Sequence, residues 1–328
     1  MHVTPASTPT FSRTTHSTAR TLLSGTLIDV AEWHCQGGDH DAAREVQSGV
    51  GFEVVVTRRG AYARRCRGET VVCHAGVATF AGPHDVQRIQ HPVPGGADCT
   101  VFRVPEAGMR DLISTLDPAA AAAPSICLPV CHAALDGSGY FKHLVAARVA
   151  ALHAAARNPS TAVAAEEQAI LFVHHAVRRA YVAAGRATPH SLPHPMGDHN
   201  RSAATYTRRV HELIAARFHE RLTLHGIARE VGCSPYHLSR LVAADVGVPI
   251  YRLVIQLRLR AALDRVLDSR EPLSGVAFDA GFASQSHFGD AFRREFGLAP
   301  GAARRLYGCN RTIRQRLASR AQRTALAR

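Results

Sequence analysis

The sequence predicts an α+β chain in which an antiparallel β barrel with accompanying helices precedes an all-α domain. Three observations predict it. Short Val-, Phe- and Tyr-rich segments crowd between Gly51 and Val104, a helical pattern recurs about fifty residues apart in the last third, and nearly all the excess positive charge lies in that third.

The strand texture comes from Phe52 to Thr57, Ala61 to Cys66, Glu69 to His74, Val77 to Phe80, Val86 to Gln90 and Cys99 to Val104, separated by Gly, Pro or Asp. Six closely spaced runs fit an antiparallel sandwich or barrel. After Glu106 the chain turns Ala- and Leu-rich, which predicts helices at Met109 to Leu116, Tyr140 to Arg157 and Val163 to Ala183. Val163, Ile170, Val173, Val177 and Tyr181 share a face of the last, for burial against the barrel or a second subunit.

The expected division has a disordered segment at 1–26, a strand-rich domain with helices at 27–184, a linker at 185–205, a helical domain at 206–306 and a disordered basic tail at 307–328. Pro189, Pro193, Pro195 and Gly197 mark the linker, across which the domains are expected to move independently. No apolar run approaches the ~18 residues of a spanning helix. The expectation is a soluble, cytoplasmic protein without a membrane partner.

The 39 basic and 26 acidic residues leave a net charge of +13, and Lys142 is the only lysine. Residues 1–200 hold 17 basic and 16 acidic side chains, while 201–328 hold 22 and 10. So lopsided an excess points to a polyanion, with nucleic acid ahead of a membrane surface.

In the basic third, Thr223 is a competent N-cap for a helix whose inner face is Leu224, Ile227, Ala228 and Val231. Gly232-Cys233 ends it. Ser234 caps the next helix, with Pro235 in its first turn and Leu238, Leu241 and Val242 inside. The same order returns downstream. Glu271-Pro272 opens a helix with Leu273, Val276, Ala277 and Ala280 inside, Gly281 turns the chain, and Ser284 caps a helix carrying Phe288 and Phe292. Between the units, Pro249 to Leu267 reads as a rigid helix with Leu253, Leu257 and Val266 for burial. At ~1.5 Å per residue it spans nearly 30 Å, and two reading helices on such a strut would enter the major groove about one turn, ~34 Å, apart.

These residues resemble the AraC/XylS family. Its C-terminal signature is matched by Val276-Ala277, Ala280-Gly281-Phe282, Ser284, Phe288, Phe292, Gly297, Pro300 and Arg304 at the family's spacing. Ala303 stands where an aromatic is usual, which implies looser packing there, and Val242 replaces a usual Phe. The resemblance implies two helix-turn-helix units that bind double-stranded promoter or operator DNA. It further implies a cupin-like N-terminal domain for effector binding or dimerisation, ligand-responsive regulation with activation ahead of repression, and RNA polymerase, a small-molecule effector and a second copy as further partners. No enzymatic activity and no cofactor are implied.

The outward positions at the start of each second helix are expected to face base edges. In the first unit they are Tyr236, Ser239 and Arg240. Arg240 either grips a guanine edge or contacts phosphate. In the second they are Gln285, Ser286, Gly289 and Asp290. Gln285 suits adenine, but Gly289 has no side chain and Asp290 repels phosphate, so the first unit is expected to carry most of the specificity.

The strand-rich half also holds His34, Cys35, His40, His74, His84, His91 and Cys99, whose spacing matches no metal site. They read as loop histidines and small buried thiols. Cys127-x-x-x-Cys131-His132 reads as a helix-flanking loop, and Trp33 as a core residue ahead of a pocket wall. No metal is expected. The rival for this half is a metal-dependent cupin-like enzyme or metal sensor, while a DNA-repair methyl acceptor fails because Cys35, Cys66, Cys73 and Cys99 lack paired spacing.

Overall fold

Along Phe52–Gly60 the side chains alternate, with Phe52, Val54 and Val56 buried and Glu53 and Val55 half-exposed, so this strand has one face in a core. The computed structural model describes residues 17–36, 43–91, 95–156, 159–185, 201–220, 222–235, 238, 242, 248–268 and 270–307. The strands are β1 (Ser17–Ser24), β2 (Asp29–Cys35), β3 (Arg44–Gln47), β4 (Phe52–Gly60), β5 (Tyr62–Cys66), β6 (Glu69–Cys73), β7 (Val77–Ala81), β8 (Val86–Gln90), β9 (Ala97–Val104) and β10 (His132–Ala134). They form two antiparallel sheets, in the orders β1-β2-β9-β4-β7-β10 and β3-β8-β5-β6.

Among the described residues neither sheet closes, which corrects the expected barrel. The reason lies in what covers the larger sheet. Helices α3 (Gly137–Ala156) and α4 (Pro159–Ala183) pack on it, with Phe102 of β9 set 4.7 Å from Phe172 of α4, ring centre to ring centre. Its apolar face is thereby buried without closure. Arg64 of β5 joins the two sheets: it is buried, and it donates to the carbonyls of Phe80 and Cys131 and to Gln87 Oε1.

Three further expectations change. Ser17–Ser24, placed in the disordered segment, is β1 and pairs with β2, burying Leu22 and Leu23. Arg201–Arg217 forms α5, so residues 201–205 are helix rather than linker. Val163 is exposed, because the buried face of α4 runs through Ala165, Ala169, Phe172, Val173, Ala176, Val177 and Ala180. Residues 1–16, most of the linker (186–200) and the tail from 308 lie outside the described residues. Two short helices, α1 (Glu106–Ser114) and α2 (Pro118–Ala122), join β9 to β10.

The helical third comprises α5, α6 (Leu224–Val231), α7 (Ile250–Asp268), α8 (Leu273–Asp279), α9 (Gln285–Phe296) and α10 (Pro300–Tyr307) among the described residues. The strut α7 buries Leu253, Leu257 and Val266 as expected, and also Val254, Leu259, Arg260 and Leu263. A helix buried on several sides is flanked on several sides. It lies between the helical units and the strand-rich half.

That placement corrects the expectation of independent movement. Phe141 of α3 meets Phe296 and Tyr307, Arg148 donates to Asp268 and to the carbonyl of Leu267, and Arg260 donates to the carbonyls of Ala75 and Leu135. The approach is so close that a Cβ on Gly76 would overlap the Arg260 guanidinium, and one on Gly137 would overlap the carbonyl of Glu295. One continuous hydrophobic core runs through both halves.

Candidate nucleic-acid interface

The second helical unit is built from its phenylalanines outward. Phe288, Phe292 and Phe296 recur every four residues along α9 and are all buried, with Phe282 of the turn stacked edge-on against Phe288 at 5.2 Å. Ser284 Oγ accepts from the His287 N–H at 3.1 Å and so caps the helix. Gly281 sits at φ +82°, a left-handed turn that brings α9 back across α8.

With the phenylalanines fixed inward, Ser286 and Asp290 are exposed on the side turned away from them, Gln285 is exposed as the first residue of the helix, and a Cβ at Gly289 would meet nothing within 4 Å. Arg293 continues this face and lies 3.9 Å from Asp290. The side chains expected to meet base edges in this unit are thus all exposed.

In the first unit Thr223 Oγ1 accepts from the Gly226 N–H at 3.1 Å, and Gly232 ends α6 at φ +80°. Ile227, Ala228 and Val231 are buried, while Leu224 is partly exposed. The Ser234 carbonyl accepts from the Leu238 N–H at 2.9 Å, and Leu238 and Val242 are buried. Tyr236, Ser239 and Arg240 lie outside the described residues. Ala303 is fully buried, so the packing expected to be loose is closed there.

Several arginines counted toward the positive charge are structural. Arg258 of the strut donates to the carbonyls of Phe218, Glu220 and Gly281 at 2.6, 2.7 and 2.8 Å, tying α5 to the second turn. Burial pushes its pKa down. Arg304 donates to the carbonyls of Val266 and Glu271, Arg217 pairs with Glu220 and Glu230, and Arg265 with Glu271 and Asp279. Arg208, Arg209, Arg229, Arg252, Arg270, Arg293, Arg294 and Arg305 are exposed and available to a polyanion. Sequence reasoning missed the roles of Arg258 and Arg260, although two arginines spaced among Leu257, Leu259 and Leu263 on a buried helix were a signal.

Residues 227–306 match the family model described as a helix-turn-helix domain. This region is an AraC-type helix-turn-helix domain. The AraC-type domain is 40% identical over 84 residues to the HTH-type transcriptional regulator GlxA of Rhizobium meliloti, covering 25% of each chain. It is 34% identical over 107 residues to the HTH-type transcriptional activator RhaS of Escherichia fergusonii, covering 32% of this chain and 37% of that one. A transcriptional regulator of Chromobacterium violaceum with an AraC-type DNA-binding domain is 26% identical over 32% of this chain and 94% of its own, with a TM-score of 0.30. The chain thus covers less than half the length of these curated relatives.

In the strand-rich half, among the described residues, the candidate ligands come together in a pair, Cys35 with His91, and not as a cluster of three. His34 pairs with Asp98, Cys35 lies 3.1 Å from His91 Nε2, and His74 meets the His211 ring at 5.3 Å. Burial pushes the Cys99 thiol up to about 12, as expected of an inert buried thiol. His40 lies outside the described residues. Trp33 is half-buried, edge-on to Tyr62 at 6.4 Å. Glu69, Cys131 and His132 come together instead. No helix among the described residues is long and apolar enough to cross a membrane.

Proposed function

We propose that the protein is a sequence-specific DNA-binding transcription regulator, an activator that contacts RNA polymerase and answers to a small-molecule effector. The observation that carries this is α9, where Gln285, Ser286 and Asp290 stand exposed on a helix fixed by three buried phenylalanines within the AraC-type domain. Tyr236, Ser239 and Arg240 read bases in one half of a split site, and Gln285 and Ser286 in the other. The strut α7, 19 residues long, sets their separation.

The effector site is a cleft of about 290 Å³ between the larger sheet, α3 and α7. Arg20 and Arg58 pair with Glu32, and Arg148 pairs with Asp268, along its walls, with Asp264 beside them, which suits a small polar ligand able to exchange with these ion pairs. A ligand there touches both the strand-rich half and the strut, which supports coupling between sensing and DNA binding.

The test is selection of binding sites from a random DNA pool by the full chain, followed by affinity for the selected and a scrambled duplex at one salt concentration. The selected site should bind on the order of a thousandfold tighter. Equal affinity for both sinks the reading in favour of a nonspecific DNA binder.

A further inference from the structure

We propose that Glu69, Cys131 and His132 form a binding site for a soft divalent cation of the zinc class. The three come from both sheets: Glu69 opens β6 after the Arg67-Gly68 turn, and His132 opens β10, which pairs with β7 through His132 and Thr79. Their three ligand atoms lie within 4.8 Å of one another.

The distances suit a tetrahedral ion. Cys131 Sγ is 3.1 Å and His132 Nδ1 is 3.5 Å from Glu69 Oε2. An ion at ~2.3 Å from sulfur and ~2.0–2.2 Å from nitrogen and oxygen needs its ligands about 3.3–3.8 Å apart, so small side-chain rotations complete the site. His132 Nδ1 is buried yet has no hydrogen bond of good geometry. A bound ion would satisfy it.

Charge also fits. A thiolate and a carboxylate neutralise a divalent cation, the imidazole binding as the neutral base, and the Cys131 thiol gives its one proton to solvent as the sulfur–metal bond forms. The nearby guanidiniums do not compete for the carboxylate: Arg64 is engaged by Gln87 and two carbonyls, and Arg67 by Asp85 and the Leu128 carbonyl. Cys131 is buried while Glu69 and His132 are part-exposed, so the ion enters from the solvent side, where water supplies the fourth ligand. The ion braces β6 against β10, three residues before Leu135, whose carbonyl receives Arg260.

Cobalt(II) titration of the purified, chelator-stripped full chain tests this. Wild type should develop a thiolate-to-cobalt charge-transfer absorption saturating near one ion per chain and bleached by zinc. Cys131→Ser should abolish it, Cys127→Ser on the exposed loop should keep it, and His132→Gln and Glu69→Gln should each weaken cobalt binding about tenfold or more. If Cys131→Ser folds poorly, the two part-exposed variants carry the test. No absorption in wild type, persistence in a folded Cys131→Ser, or unchanged cobalt affinity in both His132→Gln and Glu69→Gln overturns the proposal.

Discussion

Arg260 of the strut and Glu295 of α9 form an ion pair of 3.1 Å in which the side chains are 4% and 7% exposed, while the same guanidinium reaches the Ala75 and Leu135 carbonyls. A residue of the DNA-binding half thus finds two of its hydrogen-bond acceptors in the strand-rich half. Removing it leaves Glu295 buried without its charge partner. Arg260→Ala should therefore destabilise the full chain by about 3–5 kcal/mol in urea unfolding. A loss under ~1 kcal/mol would show that water replaces the guanidinium at no great cost.

The core of the second unit should be equally unforgiving. Phe288 is fully buried between Phe282 and Phe292. Phe288→Ala should cost about 3–5 kcal/mol and abolish DNA binding, whereas Ser284→Ala, which removes only a cap, should cost about 1 kcal/mol and leave binding measurable. Thermal melts and DNA titrations of both variants check the order. The reverse order would mean that α9 is held by its cap rather than by its rings.

Between the reading helices we expect asymmetry. Arg240→Ala should relax base preference in one half of the site, at a cost of roughly 1–3 kcal/mol in discrimination. Asp290, exposed and 3.9 Å from Arg293, opposes phosphate, so Asp290→Ala should leave affinity unchanged or raise it by freeing that arginine. Titration against single-base variants at fixed salt decides it. A tenfold loss for Asp290→Ala confined to sites with one particular cytosine would assign that carboxylate to base reading.

Acid should weaken the fold below about pH 6.5. Burial and the neighbouring His211 hold His74 down to about 3, and burial holds His143, set among Tyr140, Phe102 and Phe172, well below the usual imidazole range. Both are neutral when folded and take up protons when unfolded. Their contribution is complete above the unfolded value of ~6.5 and falls by about 1.4 kcal/mol per pH unit for each histidine as the pH drops toward the folded value. Urea midpoints at pH 7 and pH 5 test this with His143→Phe, which should lose less stability than wild type over that interval. An equal loss assigns the acid sensitivity to other groups.

An isolated 201–328 fragment should be helical and bind DNA with steep salt dependence, yet melt below the full chain, because α9 and α10 lose the cover of Phe141 and α7 loses its contact with Arg148. Circular dichroism and DNA titration measure both. A fragment as stable as the parent would mean the shared core contributes little.

How much was legible in the sequence follows from the range of each interaction. Phe52 to Val104 announced its strands by local alternation, and Ser284, Gly281 and the phenylalanines announced the second unit by spacing alone. β1 stayed hidden because Ser17–Ser24 is rich in Ser and Thr, and its Leu22 and Leu23 gain meaning only against β2. Sheet closure is a long-range property, decided by helices far along the chain. The arginines divide likewise: Arg258 and Arg293 carry the same charge, and only tertiary contacts distinguish one that holds a turn from one that faces outward.

The bare backbone of Gly76 is where Arg260 seats. A methyl group there would push the strut, and with it Asp264 and Asp268 of the cleft, off the strand-rich half without replacing any side chain of α9. Under the proposed function, a genetic screen for chains that still bind DNA but no longer answer to an effector should collect substitutions at Gly76 and at Gly137, positions that neither a ligand contact map nor a DNA footprint would nominate.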